Sequence, residues 1–91
     1  EYVLSQQLLK CGTSIGANIQ EAQAAQTKPD FIAKMSIASK EARETKYWLY
    51  LIHQSQIIEI DVNSLTEKII ALINLLTKIV KTSQDNLRAT K

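Results

Sequence analysis

Gly12-Thr13-Ser14-Ile15-Gly16 has the G-x-S-x-G spacing that presents a nucleophilic serine in many hydrolases. That chemistry needs a tight strand-to-helix turn to lift the serine beside an oxyanion hole, and a histidine to take its proton. No strand-like alternation precedes Gly12, His53 is the only histidine, and 91 residues cannot hold the hydrolase sheet. Acyl transfer is therefore excluded. A phosphate-binding loop is excluded too, since the Lys-Ser/Thr ending and the preceding strand are both missing.

Carboxylates are the second candidate chemistry. Two-metal sites in helical bundles use several inward glutamates with Glu-x-x-His pairs. Glu41 and Glu44 stand three apart, with Glu21 and His53 as further donors, but no Glu-x-x-His occurs. The two glutamates are expected to be solvated or to pair with Lys40, Arg43 or Lys46 along one helix surface. His53, near a helix C-terminus, reads as a dipole-compatible surface residue. Cys11 is the sole cysteine, which rules out an internal disulfide and a cysteine zinc site and suits a reducing cytosol. Between Leu8 and Ile15 it reads as a small core residue. No catalytic residue, cofactor or metal site is expected.

The third chemistry is phosphate and base recognition. Lys34, Lys40, Arg43 and Lys46 line one segment, and Lys78 and Lys81 a later one; multiplied around an oligomer, they could contact a nucleic-acid backbone. In one monomer they are ordinary solvated faces. Tyr47, Trp48 and Tyr50 offer stacking surfaces, although Trp48 is better suited to core or interface packing. The net charge of +2 is small, so such a role rests on where the charges lie.

The elements that must position these residues are helices. Two Gly, one Pro and 45% apolar residues fit long helices and a single small core, without a sheet. In the first helix, about residues 2–26, Leu4, Leu8, Cys11, Ile15, Ile19 and Ala22 recur at helical steps, and only Lys10 and Glu21 are charged. Gly12 and Gly16 share a flank where backbones could approach closely. Asn18 and Glu21 lie at the edge of the apolar stripe; buried with partners they would fix register and oligomer geometry, and at the margin they would face water.

Thr27-Lys28-Pro29-Asp30 punctuates the chain, with Thr27 as cap, Pro29 in the first turn and Asp30 at the positive end of the dipole. The second helix, about residues 28–54, carries the seam Phe31, Met35, Ala38, Ala42, Thr45, Leu49 and Ile52 at steps of four and three. Ile57, Ile58 and Ile60 are expected to cover the end of the bundle. The third helix starts either after Asp61 or at the capping box Ser64-Leu65-Thr66-Glu67. Its seam is Val62, Leu65, Ile69, Leu72, Leu76 and Ile79, and it is expected to reach about Thr82, leaving 83–91 as a frayed polar tail. Short connections imply antiparallel neighbours. The third helix is apolar enough that three helices alone would leave sticky surface, which points to a further helix, self-association or both. The chain begins at Glu1, already within a helical pattern, so an N-terminal segment is expected to precede it. No apolar run is long enough to cross a membrane, and the expected location is cytoplasmic.

In combination, Ser14-Ile15-Gly16-Ala17-Asn18-Ile19-Gln20-Glu21-Ala22 and Lys40-Glu41-Ala42-Arg43-Glu44-Thr45 with Tyr47-Trp48-Leu49 resemble the small bacterial proteins of 23S rRNA intervening sequences, also called the S23 ribosomal protein family. Gln7-Leu8, Asp30-Phe31 and Ile37-Ala38 extend the resemblance over about residues 1–82. It implies an all-α fold, an antiparallel up-and-down four-helix bundle of which this chain supplies helices two to four as one domain spanning 1–91. It also implies ring-like homopentamers, as in the similar accessory protein of diversity-generating retroelements, which associates with nucleic acid and a reverse transcriptase. No enzymatic activity and no catalytic residue come with it. The resulting expectation is a non-enzymatic homo-oligomer that contacts RNA or DNA through basic residues of a ring, with a protein-interaction scaffold as the first alternative and a carboxylate-metal enzyme using Glu21, Glu41, Glu44 and His53 as the second.

Overall fold

The structure, a computed structural model, describes residues 2–55 and 62–89, which form three helices and the turn at 24–27 between the first two. The helices are α1 (Tyr2–Gln23), α2 (Lys28–Ser55) and α3 (Val62–Ala89). Thr27 caps α2: its Oγ1 accepts from the Asp30 amide at 3.2 Å, and its carbonyl accepts from the Phe31 amide at 3.0 Å. α3 begins at Val62, so the Ser64 capping box lies inside its first turn, and the alternative cap Asp61 falls outside the described residues, as do Ile57, Ile58 and Ile60. The frayed tail is corrected. The helix runs on through Ala89 because Ser83 is buried and Leu87 half-buried, continuing the stripe of Leu76 and Val80 at steps of four, three and four.

The register is antiparallel. Cys11 meets Glu44 while Glu21 meets Lys34 across α1 and α2, so positions later in one helix face positions earlier in the next. α2 is the central helix: it packs on both α1 and α3, which do not approach each other among the described residues. The result is a slab, 52 × 19 × 13 Å along its principal axes.

Ala38 and Ala42, wholly buried in mid α2, are small enough for both neighbours to come close. Around them gather Ile15 and Ala22 of α1, Met35, Leu49 and Ile52 of α2, and Val62, Ile69, Ile73 and Leu76 of α3. The α2 seam matches its 4-3 spacing throughout, with Phe31 half-buried at its start. The α3 seam is rotated: Ile73 is buried, whereas Leu65 is 41% exposed. Leu65, Ile69 and Leu72 instead line a groove with Leu8 and Gly12 of α1 and Thr45 and Leu49 of α2, an apolar trough of about 300 Å³ between the outer helices.

Gly12 and Gly16 lie inside an unbroken α1, where a methyl group at either would meet nothing within 4 Å. The close backbone approach that this flank could allow is not made among the described residues. Ser14, on the same helix, accepts from Asn18 Nδ2 at 3.3 Å through its hydroxyl and at 2.9 Å through its carbonyl, and no strand–turn geometry exposes it as a nucleophile.

Candidate functional site

Arg43 is the hinge of the charged surface. It projects from α2 toward α3, where its guanidinium donates to Thr77 Oγ1 at 2.9 Å. On one side of it opens a cleft of about 660 Å³ lined by Ser36, Ser39, Lys40, Glu44, Tyr47 and Trp48. A second cleft of about 370 Å³ shares Ser36, Ser39 and Arg43 and adds Thr77, Lys81 and Gln84 from α3. A third, farther along, holds Arg43 and Lys46 beside Asn74. One face across α2 and α3 thus presents Lys40, Arg43, Lys46 and Lys81 together with hydroxyl and amide groups.

This face also carries aromatic surface. The rings of Tyr47 and Trp48 meet edge to face, with centroids 5.5 Å apart at 63°. Tyr47 is 56% exposed and Trp48 half-buried, so one aromatic is presented to solvent and the other anchors it.

One of the expected basic contacts stands apart. Lys34 is nine residues, two and a half turns, before Arg43, hence on the opposite side of α2. There its Nζ pairs with Glu21 at 2.9 Å across the α1–α2 junction, and that bond, ahead of the carboxylate's charge, raises its pKa. Lys78 is exposed on α3, a turn from Asn74 and from Lys81. Lys81 itself faces Asp85 at 3.8 Å, a loose exposed pair that leaves its ammonium available.

The polar residues of α1 take the margin of the stripe. Asn18 is half-buried and spends its amide on Ser14 within its own helix; Glu21 is exposed and bound to Lys34. Neither sets register from a buried position in this chain, because both sit where α1 turns from α2 toward solvent.

Glu41 and Glu44 follow part of the expectation: Glu44 is exposed, as a solvated glutamate would be, and Glu41 is half-buried. Neither pairs with a lysine or arginine among the described residues; both turn toward α1, and the Cys11 thiol donates to Glu44 Oε2 at 3.8 Å. Burial first, and then the two carboxylates, push the thiol above its usual value, while a hydrogen bond from Trp48 acts against them. The carboxylate set that included Glu21 and His53 is not assembled: Glu21 is held by Lys34, and exposed His53 lies nine residues, roughly 13 Å, beyond Glu44 along α2.

Comparison with known proteins fits this architecture. The sequence pattern that defines the 23S rRNA-intervening sequence protein family matches residues 1–78. The chain belongs to that family. It is similar to the crystal structure of a protein with unknown function from the S23 ribosomal protein family of Bacteroides thetaiotaomicron VPI-5482: 46% identity, TM-score 0.82, covering 89% of this chain and 73% of that one. No curated protein matches. The all-α architecture is consistent with helices two to four of the family's antiparallel bundle.

Sequence reasoning missed Ser36, Ser39, Thr77 and Gln84 of the basic face, and the meeting of Cys11 with Glu41 and Glu44. The first group had a faint signal, lying at helical steps from Arg43 or opposite it in antiparallel register. The second had none within a single helix.

Proposed function

We propose that this protein is a non-enzymatic, self-associating bundle protein that binds single-stranded RNA or DNA through the α2–α3 face. The observation that carries the reading is the convergence of Lys40, Arg43 and Lys81 from two helices on clefts whose one end is walled by Tyr47 and Trp48. Cations beside an exposed ring are what a single strand requires: charge for phosphates, a π-face for a base. Duplex recognition by a helix in a groove would need a basic helix face free of neighbours, whereas Arg43 is tied to α3. The description of the family makes fragments of 23S rRNA the first ligands to test.

Self-association supplies the charge that one chain lacks. Val3, Leu9 and Leu75 are 66%, 71% and 55% exposed, apolar surface available to another copy. A ring of five copies would repeat the basic face around one axis and give a long strand several weak holds. A reducing cytoplasm suits the single free thiol, and no described helix is long and apolar enough to cross a membrane.

Trp48 is the only tryptophan, so its emission reports the face directly. Titration with an unstructured oligonucleotide is expected to quench it in wild type and to quench it far less in Arg43→Gln. Emission that does not change up to high oligonucleotide concentration counts against the reading.

The apolar trough favours a second reading, a scaffold that receives a partner's amphipathic helix. Binding of that kind would be insensitive to salt and would persist in Arg43→Gln, but fail in Leu72→Lys.

A further inference from the structure

We propose that Cys11, Glu41 and Glu44 form a site for a borderline divalent cation of the zinc or cobalt class, which ties α1 to α2. This inference is independent of the nucleic-acid reading. One ligand atom from each residue, the thiol sulfur and two carboxylate oxygens, lies within 4.8 Å of the others. Around a tetrahedral ion with metal–sulfur near 2.3 Å and metal–oxygen near 2.0–2.2 Å, sulfur and oxygen ligands stand roughly 3.5 Å apart. Cys11 Sγ and Glu44 Oε2 are already at 3.8 Å, so rotation of side chains closes the set without moving the helices.

The donor set is neither an acidic surface cluster nor an isolated thiol. Cys11 is 4% exposed and comes from α1, while the two carboxylates rise from successive turns of α2, so the three donors converge across a helix junction. The count of one cysteine excluded a site built from thiolates alone; a mixed set of one thiolate and two carboxylates is a different coordination chemistry.

Charge argues the same way. Lys40 and Lys46 share α2 with these acids and Arg43 lies between them, yet no lysine or arginine pairs with Glu41 or Glu44 among the described residues, and Arg43 turns away to Thr77. A dication would replace the thiol proton, which leaves to solvent as the metal–sulfur bond forms, and would bring the charge of the three donors from −2 to −1. Glu44 also lines the cleft of Lys40 and Trp48, which gives the ion a path in and a fourth position for water.

The test uses the full chain, reduced, stripped of metal and titrated with Co2+. Wild type is expected to show a near-ultraviolet thiolate-to-cobalt band with intense visible bands of four-coordinate geometry, bleached by Zn2+, and a thermal midpoint that climbs with added Zn2+. Cys11→Ser should abolish the charge-transfer band. Glu41→Gln and Glu44→Gln, which leave the helix junction packed, should each weaken Co2+ at least tenfold, while Glu67→Gln should leave it unchanged. Far-ultraviolet dichroism confirms that each variant is helical. The proposal is overturned by any of three results: no charge-transfer band in wild type, a band that survives Cys11→Ser, or cobalt affinity unaltered in both glutamine variants.

Discussion

Leu76 is 1% exposed, the largest fully enclosed side chain among the described residues, and shares one core cluster with Ala38 and Ala42. Truncation to alanine leaves a cavity that two close-packed helices cannot collapse, so Leu76→Ala is expected to cost about 2–5 kcal/mol, read as a lower urea midpoint. Thr27→Ala removes the acceptor for the Asp30 amide and should cost about 1 kcal/mol by the same assay. Cys11 gives a pH signature. Its folded thiol titrates above the ordinary value of 9.0, chiefly through burial, so its contribution to stability is whole below the unfolded pKa. That contribution declines as pH rises from there through the folded pKa, because the unfolded thiol ionises first. Urea midpoints of metal-free protein should therefore fall between about pH 8 and pH 10, and fall less in Cys11→Ser. Which residues meet across helices was hidden from the sequence: i,i+3 and i,i+4 partners are visible along one helix, but Glu44 beside Cys11 and Lys34 beside Glu21 require the register. The nearest cations on α2 were therefore the natural partners to assign to Glu41 and Glu44, but neither carboxylate pairs with one among the described residues, and Glu44 meets Cys11 of α1.

At the scale of elements, α2 was the most legible. Its 4-3 repeat admits one buried line, and residues 35, 38, 42, 45, 49 and 52 are all buried. α3 was less so because it is apolar nearly all round. Several lines satisfied the pattern, and contact with α2 on one side only selected Ile69, Ile73 and Leu76 while leaving Leu65 and Leu72 toward the trough. Its last two turns looked polar because a serine stands where the stripe continues. In α1 the glycines are placed where alanine would fit. With nothing within 4 Å of either added methyl, Gly12→Ala and Gly16→Ala should each raise helix stability by roughly 1 kcal/mol in the isolated chain. A lower midpoint for Gly16→Ala would mean that this flank is packed against another chain in solution.

Over the whole molecule, a slab of three helices with a trough along it is an incomplete bundle in cross-section, and the exposed Leu9, Leu65 and Leu75 mark where further packing is available. Fold class and bundle order were readable from periodicity and resemblance. The basic face was only half readable: Lys40, Arg43, Lys46 and Lys81 lie on it, but Lys34 belongs to the junction with α1, a distinction that depends on which side of α2 each neighbour occupies. The measurement that bears most directly on the central claim is the salt dependence of single-stranded RNA binding, followed by fluorescence anisotropy. Wild type is compared with Lys40→Gln/Arg43→Gln/Lys81→Gln and with Lys34→Gln. The account expects affinity to fall steeply with salt in wild type and in Lys34→Gln, and the triple variant to lose about two units of slope, near 0.7 for each phosphate contact removed. Equal slopes in wild type and triple variant, or no binding near physiological salt, would contradict it.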